Sequence, residues 1–179
     1  MLSQPIKTSV CNPCFVYGTL MAPEVLTTLI GRLPKMQSPA FLPAIYSRHP
    51  VVDQVYPGVI QRVDNLHIES FSTNNLSSWE DVKSLCVEGM VLSELSPAEM
   101  KVFSWYEDDD YTRTTVPVLI NNGQGIEAIN ADVYIWSAGN ELLDLDSSWS
   151  YEIFRSTKLD LYLESTVRPC KMEVDRLGF

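Results

Sequence analysis

Histidine and basic residues are scarce in this chain. It has two histidines, and 13 Lys and Arg stand against 23 Asp and Glu, a net charge of -10. Nucleic-acid phosphates and anionic lipid headgroups repel such a protein, so the composition argues against non-specific binding to either. No run approaches the roughly 18 apolar residues of a membrane-spanning helix, and the first residues lack the apolar core of a signal peptide. We expect a cytoplasmic protein that binds neither nucleic acid nor membrane.

Familiar catalytic motifs are also missing. The sequence has no G-x-S-x-G elbow, no Walker A loop, no G-x-G-x-x-G and no H-E-x-x-H. His49 and His67 stand alone, and we interpret both as surface or structural residues. A serine or cysteine triad therefore has little material.

Cysteine is limited to four residues, of which Cys11 and Cys14 form a C-x-x-C. Such a pair is typical of zinc or redox sites. Zinc would need two further ligands, and a redox motif should follow a strand and open a helix. This pair instead precedes a predicted strand. We interpret it as part of an N-terminal lead-in and expect no metal site there.

What the chain does contain is globular. It has 179 residues, 45% hydrophobic and 20% charged, which fits one ordinary domain with a real core. We predict a loose lead-in over residues 1–13 and a single domain over 14–179. Strands dominate the middle, with helices between and after them, so the predicted fold class is α+β.

Hydrophobic periodicity and turn signals predict the elements. The predicted strands are 14–17, two or three short ones between 39 and 60 that prolines interrupt, 86–92, 111–120 and 131–136. The predicted helices are one from Pro23 to a stop at Gly31, 78–85, one capped by Ser96 that runs to 105 or 106, and one from about 146 to 164 that Pro169 stops. Asn122 and Gly123 predict a turn.

Residues 17–20 form the first candidate site. Tyr17, Gly18, Thr19 and Leu20 lie between a predicted strand and a helix. A glycine there permits a sharp turn and a close ligand approach, and N–H groups near a helix start attract a carboxylate or phosphate. A strand-ending glycine is also common in proteins without any site.

Glu107 is the second candidate. It lies at a predicted helix–strand junction and is followed by Asp108, Asp109 and Asp110. Like charges and partial burial would both raise its pKa, which suits a general acid/base near neutrality. A solvated acidic loop is the usual alternative meaning of a charge run, and the spacing alone favours that alternative.

The order of four motifs changes this judgement. Residues 15–20 (FVYGTL), 56–60 (YPGVI), 87–91 (VEGMV) and 106–113 (YEDDDYTR) resemble the γ-glutamylcyclotransferase/AIG2-like family. Residues 134–136 and the late helix also resemble its closing elements. The resemblance spans roughly residues 14–163, and the order and spacing of the short motifs are more specific than any one of them.

The resemblance implies a small mixed β-barrel flanked by helices. It assigns the catalytic role to Glu107 and a substrate pocket to the 17–20 loop, bordered by Tyr111, with Arg113 as a possible ion-pair partner. The implied reaction is attack by the substrate's α-amine on its own γ-carbonyl, which releases 5-oxoproline and a free amine or amino acid. The implied partner is a small γ-glutamyl molecule, with no metal or cofactor, in a monomer or homodimer.

Two departures and two alternatives accompany this interpretation. Phe103 and Ser104 stand where the family often has Leu-Asp, and the 61–86 stretch is longer than usual. The same pocket might serve a non-catalytic module that binds a small acid or peptide end. An interaction protein using Trp79, Trp105 and Trp149 is a further alternative, although such tryptophans more often belong to the core.

Overall fold

The computed structural model describes residues 11–62 and 79–179. Five strands close into a barrel in the order β1-β5-β2-β6-β7, and a separate two-stranded sheet pairs β3 with β4. Every neighbouring pair in the barrel is antiparallel except β1 with β7, which is parallel. The predicted small mixed barrel with helices is confirmed, and the predicted 61–86 irregularity and His67 lie largely or wholly outside the described residues.

The elements follow one another along the described chain. The strands are β1 (Cys14–Val16), β2 (Lys35–Leu42), β3 (Tyr46–Pro50), β4 (Pro57–Gln61), β5 (Val87–Ser93), β6 (Tyr111–Asn121) and β7 (Ile126–Trp136). The helices are α1 (Pro23–Ile30), α2 (Trp79–Leu85), α3 (Pro97–Glu107), α4 (Tyr151–Thr157), α5 (Leu159–Tyr162) and α6 (Arg168–Leu177). Short 3₁₀ helices at Thr19–Met21 and Asn140–Leu142 and a π-helical turn at Leu163–Val167 complete the list.

Local signals place several boundaries as expected. Pro23 occupies the first turn of α1, and Gly31 ends that helix at φ 75°, in the left-handed region that favours glycine. Ser96 and Glu99 form a reciprocal capping box at the start of α3. Since the caps satisfy backbone groups inside a few residues, these ends are readable without tertiary information.

Pro39 does not break its strand, contrary to the prediction. β2 runs from Lys35 to Leu42 and pairs with β5 on one side and β6 on the other. Its register with β5 shifts between Gln37 and Ala40. The proline therefore sits at an irregularity, where a missing N–H leaves the ladder intact.

The hairpin of β6 and β7 is longer than predicted. The Asn122–Gly123 turn is confirmed, and pairing begins at once with Asn121 opposite Ile126. The returning strand therefore starts at Ile126 rather than at 131. Residues 126–130 lack the apolar alternation that marked the rest of the strand, because Glu127 and Asn130 face solvent.

The C-terminal helical segment departs most from expectation. The helix starts at Tyr151 rather than near 146, because the Ser150 hydroxyl accepts the Ile153 N–H at 3.3 Å and caps it there. Helical structure also continues past Pro169, which was predicted to stop it. Pro169 lies in the first turn of α6, directly after the π-helical turn, where a proline N–H is not needed.

The core lies on both sides of the barrel wall. Inside, Phe15 and Val91 pack with the inward residues of the other strands, whereas Cys14 and Leu92 face the helices on the outside. This alternation follows from the two-residue period of a strand. Trp149 is buried and Trp79 is half-buried, whereas Trp105 is 44% exposed and packs edge-on against Phe179. In the described part of the chain, no helix is long and apolar enough to cross a membrane.

Gly89 generates the first testable prediction. A Cβ on this residue of β5 would lie 2.3 Å from the backbone oxygen of Val16 and 2.6 Å from the Phe15 ring. A backbone atom cannot swing away, so we expect Gly89→Ala to lower the free energy of unfolding by roughly 1–3 kcal/mol. Chemical denaturation checks this, with Glu88→Ala on the exposed face of the same strand as control. Equal midpoints for the two variants would contradict the packing argument.

Candidate active site

A cavity of about 170 Å³ opens where the end of β1 meets the end of α3. That volume holds several water molecules or a small polar ligand. It is lined by Phe15, Val16, Tyr17, Gly18, Thr19, Leu20, Tyr56, Pro57, Tyr106, Glu107, Asp108, Asp110, Tyr111, Tyr134, Tyr162 and Thr166. All six sequence-predicted site residues are in this set, so the fold brings Glu107 to the 17–20 loop across 89 positions (107 − 18).

The loop is built by a strand that ends and a helix that begins almost at once. Gly18 precedes a single 3₁₀ turn, and its carbonyl accepts the first helical hydrogen bond from the Met21 N–H at 3.0 Å. The N–H groups of Thr19 and Leu20 come before that bond and have no partner within the turn. They are therefore available donors in a segment that lines the cavity.

Arg48 of β3 holds the loop from behind. Its guanidinium donates to the carbonyl of Tyr17 at 2.8 Å and to the carbonyl of Glu88 at 3.1 Å, and lies over the Trp149 ring. Burial lowers the pKa of this arginine. One cation thus ties β1 to β5 immediately before the loop turns, a role that nothing in the sequence marks.

Tyr17 is itself a structural anchor of the loop. Its hydroxyl donates to the carbonyl of Tyr134 at 2.6 Å, and the Tyr134 hydroxyl pairs with Ser104 at 2.9 Å. Burial, first of all, raises the pKa of Tyr17 well above its usual value. Both phenols therefore stay neutral at physiological pH and hold the cavity wall by hydrogen bonds.

Glu107 is the last residue of α3 and is half-buried. Burial raises the pKa of its carboxyl from 4.5 to about 8. The predicted contribution of the neighbouring aspartates is wrong, since burial is the cause and no like charge adds to it. Within residues 11–62 and 79–179, no basic side chain forms an ion pair with Glu107. The carboxyl therefore titrates near neutrality because it is desolvated and lacks a counterion.

The three aspartates are exposed, as predicted. Asp108 nevertheless has φ 57° and ψ −167°, a conformation that residues other than glycine rarely adopt. Its carboxylate accepts the Asp109 N–H at 2.8 Å. This strained residue ends α3 sharply, so that Glu107 remains at the cavity while the acidic chain turns outward.

Tyr111 joins two of the sequence motifs. Its hydroxyl donates to the carbonyl of Pro57 at 2.9 Å, and its ring meets Trp136 edge-on. Arg113, two residues further along β6, pairs with Asp132 of β7 at 3.9 Å and is a structural partner. Tyr111 thus lines the cavity and also fixes the Tyr56–Pro57 wall.

Sequence reasoning missed a chain of hydroxyls across the cavity. The Thr19 hydroxyl lies 2.8 Å from that of Tyr106, which lies 2.7 Å from that of Tyr162. Burial raises the pKa of Tyr162 to about 12, and that of Tyr106 further. Three hydroxyls with two bonds between them retain one proton to donate elsewhere. Tyr106 adjoins Glu107 in sequence and was a findable signal, whereas the helical period assigned Tyr162 to the core.

The cysteine pair lies away from the cavity. Cys14 is fully buried in β1, and burial raises its pKa, while Cys11 is half-buried and both thiols are free. His49, also outside the cavity, bonds the Ser47 hydroxyl at 2.9 Å. Across the described ranges, no group of three or more His, Cys, Asp or Glu side chains is arranged to hold a metal ion.

Comparison with known proteins agrees with this geometry. A sequence model described as "Gamma-glutamyl cyclotransferase, AIG2-like" matches residues 14–152. The chain belongs to this family. AIG2-like protein D of Arabidopsis thaliana is 28% identical over 89% of this chain and 89% of its own length. AIG2-like protein C of the same plant is 26% identical over 85% of this chain and 74% of its own length.

Two solved structures share the family fold. Both are solution structures of Arabidopsis thaliana proteins. One is 20% identical, covers 86% of this chain and 87% of its own, and has a TM-score of 0.55. The other is 21% identical, covers 96% and 91%, and has a TM-score of 0.56. These likenesses show the fold of the family and not its chemistry.

The buried carboxyl of Glu107 predicts a pH-dependent stability. Its pKa of about 8 in the folded state lies above 4.5. Its stabilising effect is therefore complete below pH 4.5 and is lost as the pH rises to about 8, because the unfolded chain gives up the proton first. Glu107→Gln removes the titration. Allowing for partial exposure, we expect the variant to be more stable than wild type by about 2 kcal/mol at pH 8, with little difference at pH 5.

Thermal and urea unfolding at the two pH values measure this difference. Asp109→Asn is the matched control, because it removes a carboxylate from the same segment but does not line the cavity. A stability gap between Glu107→Gln and wild type that is no larger at pH 8 than at pH 5 would show that Glu107 titrates normally.

Proposed function

We propose that this protein is a γ-glutamylcyclotransferase that converts a γ-glutamyl amine or γ-glutamyl amino acid to 5-oxoproline, with Glu107 as general acid and base. The proposal assigns the substrate to the cavity between the 17–20 loop and Glu107. Its chemistry needs no nucleophile from the protein, which fits a chain without a catalytic triad.

One observation carries the proposal. A carboxyl with a pKa of about 8 lines the same small cavity as a glycine loop with unpaired N–H groups. A group that titrates near the working pH accepts and returns a proton with similar ease. A site meant only to hold an anion would not be expected to place a carboxylate beside it, which favours an enzyme over a binding module.

The proposed reaction proceeds in two steps. The Glu107 carboxylate takes a proton from the substrate's α-ammonium, and the freed amine attacks the γ-carbonyl carbon to close a five-membered ring. The carbonyl electrons move to oxygen as the C–N bond forms. The oxyanion then collapses, the bond to the leaving nitrogen breaks, and Glu107 returns its proton to that nitrogen. Atoms and charge balance without a co-reactant.

Positioning supplies most of the proposed rate gain. Ring closure needs the substrate folded with its amine against its carbonyl, and such alignment can lower a barrier by roughly 7–11 kcal/mol. The N–H groups of Thr19 and Leu20 are the proposed donors to the substrate carboxylate or the oxyanion. Tyr17 and Tyr111 hold these walls through their bonds to backbone carbonyls.

Replacement of Glu107 tests the role of the carboxyl. We expect Glu107→Gln to lower kcat by roughly 10²–10⁴ while ligand binding changes little, because the amide keeps the shape and cannot shuttle a proton. The measurement is 5-oxoproline release from γ-glutamyl dipeptides, γ-glutamyl amines and glutathione, with Asp109→Asn as control. Normal turnover by the Gln variant would contradict the assignment. Ligand binding without turnover in the wild type would favour the binding module.

Replacement of Gly18 tests the loop. Its φ is −128°, so a side chain is not barred by a left-handed backbone. A Cβ would nevertheless lie 3.1 Å from the Pro57 ring, which must yield by a few tenths of an ångström. We expect Gly18→Val to keep its fold by circular dichroism and to lose at least about tenfold in affinity for a γ-glutamyl ligand in calorimetry. Unchanged affinity in a folded variant would move the ligand away from this loop.

A further inference from the structure

A second cavity adjoins the candidate active site. It measures about 150 Å³ and is lined by Asp53, Gln54, Val55, Lys158, Leu161, Tyr162, Ser165 and Thr166. Tyr162 and Thr166 line both cavities. These two side chains therefore form the boundary between an inner chamber, which contains Glu107, and an outer chamber.

The two chambers are also continuous along both walls. On one side, residues 53–55 line the outer chamber and the next two, Tyr56 and Pro57, line the inner one. On the other side, the α5 and π-helical segment supplies residues at three- and four-residue spacing, which share a helix face. A ligand that extends outward past Tyr162 therefore enters the outer chamber.

Charge distinguishes the chambers. The inner one has the carboxyl groups of Glu107, Asp108 and Asp110, and none of its lining residues is Lys, Arg or His. The outer one has an exposed lysine, Lys158, and an exposed aspartate, Asp53. Neither side chain forms an ion pair within the described ranges. Lys158 is thus an uncommitted cation at the outer end of an acidic cleft.

We propose that the outer chamber binds the leaving part of the substrate and that Lys158 binds its carboxylate, which makes the favoured substrates γ-glutamyl amino acids rather than neutral γ-glutamyl amines. This inference rests on the proposed function of the inner chamber. When Glu107 protonates the leaving nitrogen, the rest of that group must occupy space beside the inner chamber. The α-carboxylate of a leaving amino acid lies two bonds from that nitrogen, and the inner carboxyl groups repel it outward.

The side-chain chemistry of Lys158 suits this role. Its ammonium is a point charge on a flexible stem that adapts to leaving groups of different size. Asp53, in the same chamber, opposes it and moderates the attraction. Lys158, Tyr162 and Thr166 all lie beyond residues 14–152, so the family match does not assign these positions.

The test compares two ligands that differ by one charge. Binding of γ-glutamyl-alanine and of its neutral γ-glutamyl-ethylamide analogue is measured by calorimetry in the Glu107→Gln background, which does not consume them. We expect Lys158→Gln to weaken γ-glutamyl-alanine roughly three- to tenfold and to leave the ethylamide unchanged. The loss should shrink as salt is raised. Asp53→Asn should act in the opposite direction, since Asn also tolerates the φ of 59° at this position.

Lys35→Gln is the matched control, because it removes a surface lysine that pairs with Glu94 away from both chambers. Equal effects of Lys158→Gln on both ligands, or no effect on either, would overturn the subsite, and so would failure of both ligands to bind. Failure of the proposed function is separate: it is read from wild-type protein that binds γ-glutamyl-alanine but releases no 5-oxoproline.

Discussion

The burial of one carboxyl group without a counterion is the constraint on which the candidate site depends. Glu107 ends α3 against a cavity wall made largely of tyrosine rings, and burial there raises its pKa to about 8. An arginine at this position would give a stable ion pair and an acidic pKa. The fold instead leaves the group poised between its two protonation states, at a cost in stability at alkaline pH.

The walls around that group are neutral and rigid. Tyr17, Tyr106, Tyr111, Tyr134 and Tyr162 carry hydroxyls that bond to each other, to Ser104 or Thr19, or to backbone carbonyls. Phenols suit this purpose because they combine apolar burial with one hydrogen bond and add no charge. They exclude water from the carboxyl without pairing it.

The barrel supplies the stiffness behind these walls. Gly89 lets β5 approach β1 closely, and Arg48 ties the same two strands together through the carbonyls of Tyr17 and Glu88. The C-terminal helical segment closes the open side, where Tyr162 separates the inner and outer chambers. Catalytic, anchoring and substrate-binding groups therefore come from opposite ends of the chain and meet at one edge of the barrel.

The amino-acid sequence by itself determined features that depend on a few neighbouring residues. The caps at Ser96 and Gly31, the Asn122–Gly123 turn and the strand–loop–helix unit at 17–20 follow from local backbone chemistry. The order of motifs also placed Glu107 in a family whose fold the structure confirms. Only the tertiary structure decided the rest. Pairing on both sides carried β2 past Pro39, and packing carried helical structure past Pro169. The pKa of Glu107, the Arg48 brace and the Tyr162 boundary depend on burial and on contacts between distant segments, which local patterns do not encode.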